Sequence, residues 1–190
     1  MMSAIEACSK ALLKLGENPI QSFDEGTVEA EVAEAVYGSS RDALLSAHPW
    51  SFASGQSSLT KLVATPVADY ANAYQLPEGF LRAISLGGSI DVGRGASYRI
   101  HEKRVHTTVD PAILTYIFRA DESATPPFFD QVLVAVLAFE MCVPLTESNT
   151  RAQALSKSAE GELRRARLID SQQQTPGHFE DFTLINARSS

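Results

Sequence analysis

"RDALLSAHPWSFA" runs from Arg41 to Ala53, and it marks the place where one kind of structure must give way to another. Arg41 to Ala47 suit the end of an amphipathic helix, but His48, Pro49 and the single tryptophan, Trp50, come at once after it. Pro49 has no backbone N–H and disfavours helix at His48, so the helix must stop there and the chain must turn. Trp50 and Phe52 fall on one side of an extended segment and are expected to anchor the downstream chain against the helices. His48 is expected to hydrogen-bond the last carbonyls of the helix rather than to catalyse. His48, Pro49, Trp50 and Phe52 therefore read as a structural corner between two architectures.

Upstream of the corner the pattern is helical. Ser3 and Glu6 form a capping box, Ile5, Cys8, Leu12 and Leu15 recur at helical spacing, and Gly16 supplies a left-handed stop. The first helix is predicted at about 3–15. A second starts near Asp24 or Thr27 and runs to about Ala47, with Val28, Val32, Ala35, Val36, Ser39, Ala43, Leu44 and Ala47 as its expected apolar stripe. Its acidic first turns suit the positive end of the helix dipole.

Downstream, residues 51–120 are rich in Gly, Ser, Pro and β-branched residues, and short alternating runs predict a small antiparallel sheet: "SSLTKLV", "FLRAISL", "ASYRIHEKRVHTTV" and "ILTYIFRA". The clearest hairpin turns at Glu102 and Lys103, opposes Ile100 to Val105 and Tyr98 to Thr107, and gathers Arg99, His101, Arg104 and His106 on the other face. "DESATPP" ends the sheet. A third helix at about 128–145 is apolar on nearly every side, which marks it as central. "ESNT" at 147–150 caps a fourth, whose stripe is Ala152, Leu155, Ala159, Leu163, Ala166 and Ile169 and which ends near Gln172. The expected architecture is α+β: an antiparallel bundle of about four helices (1–50 and 121–172), a β-rich insertion (51–120) and an extended C-terminal arm (173–190).

A chain of 190 residues suits one compact domain with such an arm. Its 44% hydrophobic and 21% charged residues exclude a disordered or fibrous class. The N-terminus does not read as a secretory signal, and the longest apolar run, residues 132–139, is far short of the ~20 residues of a membrane span, so synthesis in the cytoplasm and no membrane partner are expected. Cys8 and Cys142 have no ligand-like spacing and are expected to be buried thiols. The net charge of −7 is uneven. Glu17, Asp24, Glu25, Glu29, Glu31 and Glu34 succeed one another with no base between them, whereas 151–167 holds Arg151, Lys157, Arg164, Arg165 and Arg167 against Glu160 and Glu162. An acidic and a basic end on one subunit suit assembly with itself.

No motif points to catalysis. The loop "GGSIDVGRG" lacks the third glycine of a dinucleotide fingerprint and is not followed by GK[ST], and no GxSxG is present. His101 and His106 share a face with Arg99 and Arg104, whose charges oppose a metal cation. Glu29 and Glu31, or Asp24 and Glu25, as acid and base of a glycosidase would point to different sides of a helix. No catalytic residue, cofactor or metal is assigned.

Several segments resemble one family, the tail tubular protein A or head-to-tail adaptor proteins of tailed bacteriophages. The resemblance covers most of residues 4–176 and is most specific at Arg41-Asp42 with His48-Pro49-Trp50 and Phe52-Ala53, at Ala73-Tyr74 with Leu76-Pro77 and Leu81-Arg82, and at Pro144-Leu145-Thr146 with Ser148-Asn149-Thr150. It implies antiparallel helices with a β-rich insertion, and a structural virion protein that forms a ring, commonly of twelve copies, at the head–tail junction. The partners implied are further copies of the chain, a portal protein, a tail nozzle (tail tubular protein B-like) or other tail protein, and genomic DNA that passes through the lumen without sequence-specific binding. Twelve copies at −7 carry about −84, so subunit interfaces should bring acid to base. Candidate partner contacts are Arg164, Arg165 and Arg167, with Phe179, Phe182, Leu184, Ile185 and Arg188 of the arm, which departs most from the family pattern. The alternative reading is a virion-associated peptidoglycan hydrolase.

Overall fold

The computed structural model describes residues 2–87 and 95–173. The arm residues Phe179, Phe182, Leu184, Ile185 and Arg188, and most of the loop "GGSIDVGRG", lie outside the described residues.

Helix α1 is Ala4–Leu15, with the Ser3–Glu6 capping box closed in both directions and Gly16 in the left-handed conformation at φ 76°. Helix α2 is Val28–Ala47, capped by Thr27, whose hydroxyl accepts from the Ala30 N–H. The segment between them stays close to the bundle: the Ser9 hydroxyl donates to the carbonyl of buried Ile20, and a 3-10 turn at Phe23–Glu25 sets Phe23 beside Tyr37. Helix α3, Pro127–Thr146, and helix α4, Asn149–Ser171, meet at a turn where Glu147 is left-handed and the Ser148 hydroxyl accepts from the Arg151 N–H.

Helix α3 is the centre: α1, α2 and α4 all pack on it. Phe129, Val132, Leu133, Leu137, Met141 and Cys142 are buried there. By length and composition α3 is apolar enough to cross a membrane. Its flanking helices cover most of that surface, as expected of a bundle core. Alanines set the α3–α4 spacing, because Ala152, Ala159 and Ala166 recur every seventh residue on the buried side of α4.

The fold is mixed α+β, as the sequence predicts. The β segment is not one sheet but two, each of three antiparallel strands: β1 (Ser54–Ser58), β6 (Ile113–Phe118) and β3 (Phe80–Gly87), and β2 (Asn72–Gln75), β5 (Arg104–Thr107) and β4 (Tyr98–His101). The predicted β4–β5 register holds at all four pairs, with Glu102 and Lys103 both at positive φ, as a tight two-residue hairpin demands. "SSLTKLV" forms a strand only to Ser58, with an isolated bridge from Lys61 to Tyr74 beyond it, and β2 was not foreseen. Leu59, Tyr74, Leu86, Val105 and Leu114 make a second small core between the sheets.

The stripe expected on α2 holds in part, since Leu44 is buried and Val32 and Val36 pack against the core, and is corrected for the rest. Its buried residues are Ala30, Ala33, Ser40, Arg41, Leu44 and Leu45, while Val28 is 63% exposed and Ala35, Ser39, Ala43 and Ala47 face outward. Small alanines let α2 approach α3, and Arg41 is held inside because its guanidinium donates to the Ala120 carbonyl. A buried arginine at a helix position breaks the apolar count that the stripe relied on.

Candidate functional site

The corner at 48–53 is where helices and sheets join, and its geometry differs from the extended segment expected. Pro49 ends α2, His48 is extended at φ −145°, and Ser51–Ala53 then form a 3-10 turn. Trp50 and Phe52 still work together. Trp50 is fully buried, edge-on to Phe129 at 5.4 Å and 6.1 Å from Phe52, which itself meets Phe129 at 5.1 Å. The indole Nε1–H donates to the Leu44 carbonyl at 3.0 Å. The tryptophan, not the histidine, therefore satisfies a carbonyl in the last turn of α2, and the expected role of His48 is corrected.

His48 faces α4 instead. Its Nε2 is 3.5 Å from Asp170 Oδ2, and its ring lies edge-on to Trp50 at 4.7 Å. Asp170 is 3% exposed and also accepts from the Ser51 hydroxyl at 2.6 Å and the Ser51 N–H at 3.1 Å. Burial pushes the His48 imidazole below its ordinary pKa; Asp170 opposes this and Arg167 adds to it. The arrangement contains a serine, a histidine and an aspartate, but the serine hydroxyl is bonded to the carboxylate rather than to the imidazole. It clasps the last turn of α4 to the corner and offers no activated nucleophile.

Two further contacts tie α2 to the end of β6. Arg41 reaches the Ala120 carbonyl, and Asp42 pairs with both Nε and Nη2 of Arg119. Asp42 keeps Arg119 charged beyond its ordinary range. Nearby, the Tyr37 hydroxyl donates to Glu122 at 2.9 Å, and burial together with that carboxylate raises the tyrosine pKa. Glu122 also accepts from the Ala4 N–H, which brings the start of α1 to the same junction.

The predicted partner-contact residues divide. Arg164 and Arg165 are exposed, with Glu160 and Glu162 beside them on the same helix. Arg167 turns inward, its guanidinium 3.5 Å from the Ala47 carbonyl, so it braces the corner rather than presenting a free cation. Sequence reasoning missed Asp170, Arg41, Asp42 and Arg119 as junction residues. Asp170 had a signal: it falls four residues after Ala166 on the buried stripe of α4.

The four basic residues of the β4–β5 hairpin do share a face, and His101 and His106 lie 6.0 Å apart. They border a concavity of about 410 Å³ with the 64–69 segment. Arg99 pairs with Asp69 and His101 with Glu102. Among the described residues no group of three or more His, Cys, Asp or Glu side chains is placed to hold a metal ion. Glu29 is half-buried and Glu31 exposed, two residues apart on one helix and so on different sides of it. Cys8 and Cys142 are buried free thiols, and burial pushes Cys8 up to about 12.

No protein-family model matches the chain, and no curated protein matches it significantly.

Proposed function

We propose that the chain is a non-enzymatic head-to-tail adaptor of a tailed bacteriophage, a ring subunit between portal and tail nozzle through which DNA passes. The observation that carries this reading is where the family-like residues fall. Arg41 and Asp42 bind the end of β6, Trp50 and Phe52 fill the corner, and Leu81 packs against the bundle core. Tyr74 is buried between the sheets with its hydroxyl on the Val109 carbonyl. Thr146 and Ser148 make the α3–α4 turn. A resemblance confined to exposed residues would carry little; this one runs through the residues that set how helices and sheets are joined.

The acidic net charge supports the same reading, since a lumen through which DNA slides should not accumulate phosphate contacts, each of which adds affinity by releasing counterions. On this reading the protein is made in the host cytoplasm and ends at the head–tail junction of the virion. Residues 174–190, with Phe179, Phe182, Leu184 and Ile185, bring apolar burial to the portal contact. The test is to mix the purified protein with its portal and measure the mass of the product. A ring complex is expected, and deletion of 174–190 should remove portal binding while leaving the thermal melt of the remainder intact. Portal binding that survives the deletion would refute the role of the arm.

A further inference from the structure

We propose that the concavity between the β4–β5 hairpin and residues 64–69 binds the terminal phosphate of a small soluble ligand, gripped by Arg104 and His106, with Arg99 and His101 completing a basic floor. The inference goes beyond the adaptor reading and does not rest on it.

The hairpin register builds the floor. Arg99 and His101 stand two apart on β4, and Arg104 and His106 two apart on β5, so all four project from one face. Across the strands Arg99 opposes His106 and His101 opposes Arg104, and the two imidazole rings lie 6.0 Å apart on the diagonal. Neither pair brings an acid to a guanidinium, although opposite charges across strands are what stabilise a sheet by itself. On β2 the residue facing His106 is Ala73, too small to cover the floor.

The wall is already in place. Arg99 Nη1 lies 3.4 Å from Asp69 Oδ2, the Tyr70 and Ser97 hydroxyls lie 3.2 Å apart, and the Leu62 N–H donates to the Ala73 carbonyl at 2.8 Å. These contacts hold the 64–69 segment over the sheet at both ends, so binding needs little ordering. Thr65 lines the space, and Val67, fully exposed, gives it an apolar rim for the organic part of a ligand.

Charge and size point to the ligand. In a chain of net charge −7, two guanidinium groups and two imidazoles line one concavity against two carboxylates. Both carboxylates are engaged, Asp69 with Arg99 and Glu102 with His101 at 3.7 Å, whereas Arg104 has no ion pair among the described residues. A guanidinium presents a planar fork of donors matched to phosphate oxygens, and an imidazole N–H beside it adds another. The volume of about 410 Å³ falls in the ~300–1,000 Å³ range of small-molecule sites and is too small to admit a DNA duplex.

The test titrates the full chain with inorganic pyrophosphate in metal-free buffer of low salt and follows the histidine ring protons by NMR. The His101 and His106 signals should shift saturably, while those of His48, outside the concavity, should not; chloride at equal ionic strength should not reproduce the shift. Arg104→Gln, at an exposed position, should weaken binding about ten- to a hundredfold without moving the melt, the effect of losing a charge-assisted hydrogen bond. Asp69→Asn removes a carboxylate from the rim and releases Arg99, and should tighten binding. Lys14→Gln makes the same change of charge as Arg104→Gln, but on exposed α1, and should have no effect. No saturable shift, an Arg104→Gln affinity equal to that of the parent, an equal loss in Lys14→Gln, or weaker binding in Asp69→Asn would overturn the proposal. So would capture of the chain by phosphatidic acid vesicles that pyrophosphate does not release, which would make the surface a lipid contact.

Discussion

Replacing Trp50 by alanine tests the corner most severely. Trp50 is fully buried, packs on Phe52, Phe128 and Phe129, and donates its indole N–H to Leu44. Emptying a buried aromatic site costs about 3–5 kcal/mol, and the Leu44 carbonyl loses a hydrogen bond worth about 1 kcal/mol. The sum, about 4–6 kcal/mol, corresponds to a fall in Tm on the order of 10–20 °C for a chain of this size. Trp50→Phe separates the two contributions. It keeps most of the ring packing and should cost only about 1–2 kcal/mol. Thermal melts monitored at the helix signal, together with urea midpoints, measure both. If Trp50→Ala melts within about 2 °C of the parent protein, the corner is not held as described and Trp50 acts elsewhere.

The same contacts set further expected outcomes. Asp170→Ala removes the acceptor of Ser51 and the neighbour of His48, and should cost about 1–3 kcal/mol in urea unfolding. His48 has a folded pKa below its unfolded one, so its contribution is present above the unfolded value of about 6.5 and is lost as pH falls from there through the folded value. The fall in stability on acidification through that window should therefore be shallower in His48→Gln; an unchanged pH profile would show that His48 plays no part in it. Gly38→Ala and Gly161→Ala should each raise stability in urea unfolding by up to about 1 kcal/mol, because an added Cβ at either mid-helix position meets nothing within 4 Å. A thiol reagent near neutral pH should leave Cys8 unmodified until urea unfolds the chain, since burial has raised its pKa to about 12.

Much of the fold was legible in local chemistry. The Ser3–Glu6 box, Gly16, the Pro49 stop, the Glu102–Lys103 hairpin and the Ser148 cap are each fixed by a few adjacent residues, and each forms where the sequence predicts it. The features that escaped depend on distant partners. Arg41 looks like a surface residue until the Ala120 carbonyl is placed beside it, and Asp170 looks like a solvated carboxylate until Ser51 and His48 arrive from the other end of the chain. The α2 stripe held at Val32, Val36 and Leu44 but not at Val28, Ala35, Ser39, Ala43 and Ala47, because small residues lie on more than one side of the helix and periodicity alone cannot say which of them meet α3. The division into two sheets depends on β2, which is only four residues long and pairs with β5 rather than with a sequence neighbour. At the site, the predicted corner residues lie together and Trp50 keeps its anchoring role, but it also makes the carbonyl contact expected of His48, which faces Asp170 instead.

Joining a phage portal to a tail is the role proposed for this chain, and it stands or falls on the mass of the protein measured alone and then mixed with its portal. The expected product is a complex in which several copies of the chain form one ring on each portal assembly, with no clearing of peptidoglycan in a zymogram. A protein that never binds portal, and that yields a clearing band abolished by Glu29→Gln and Glu31→Gln, would contradict it and establish the hydrolase instead.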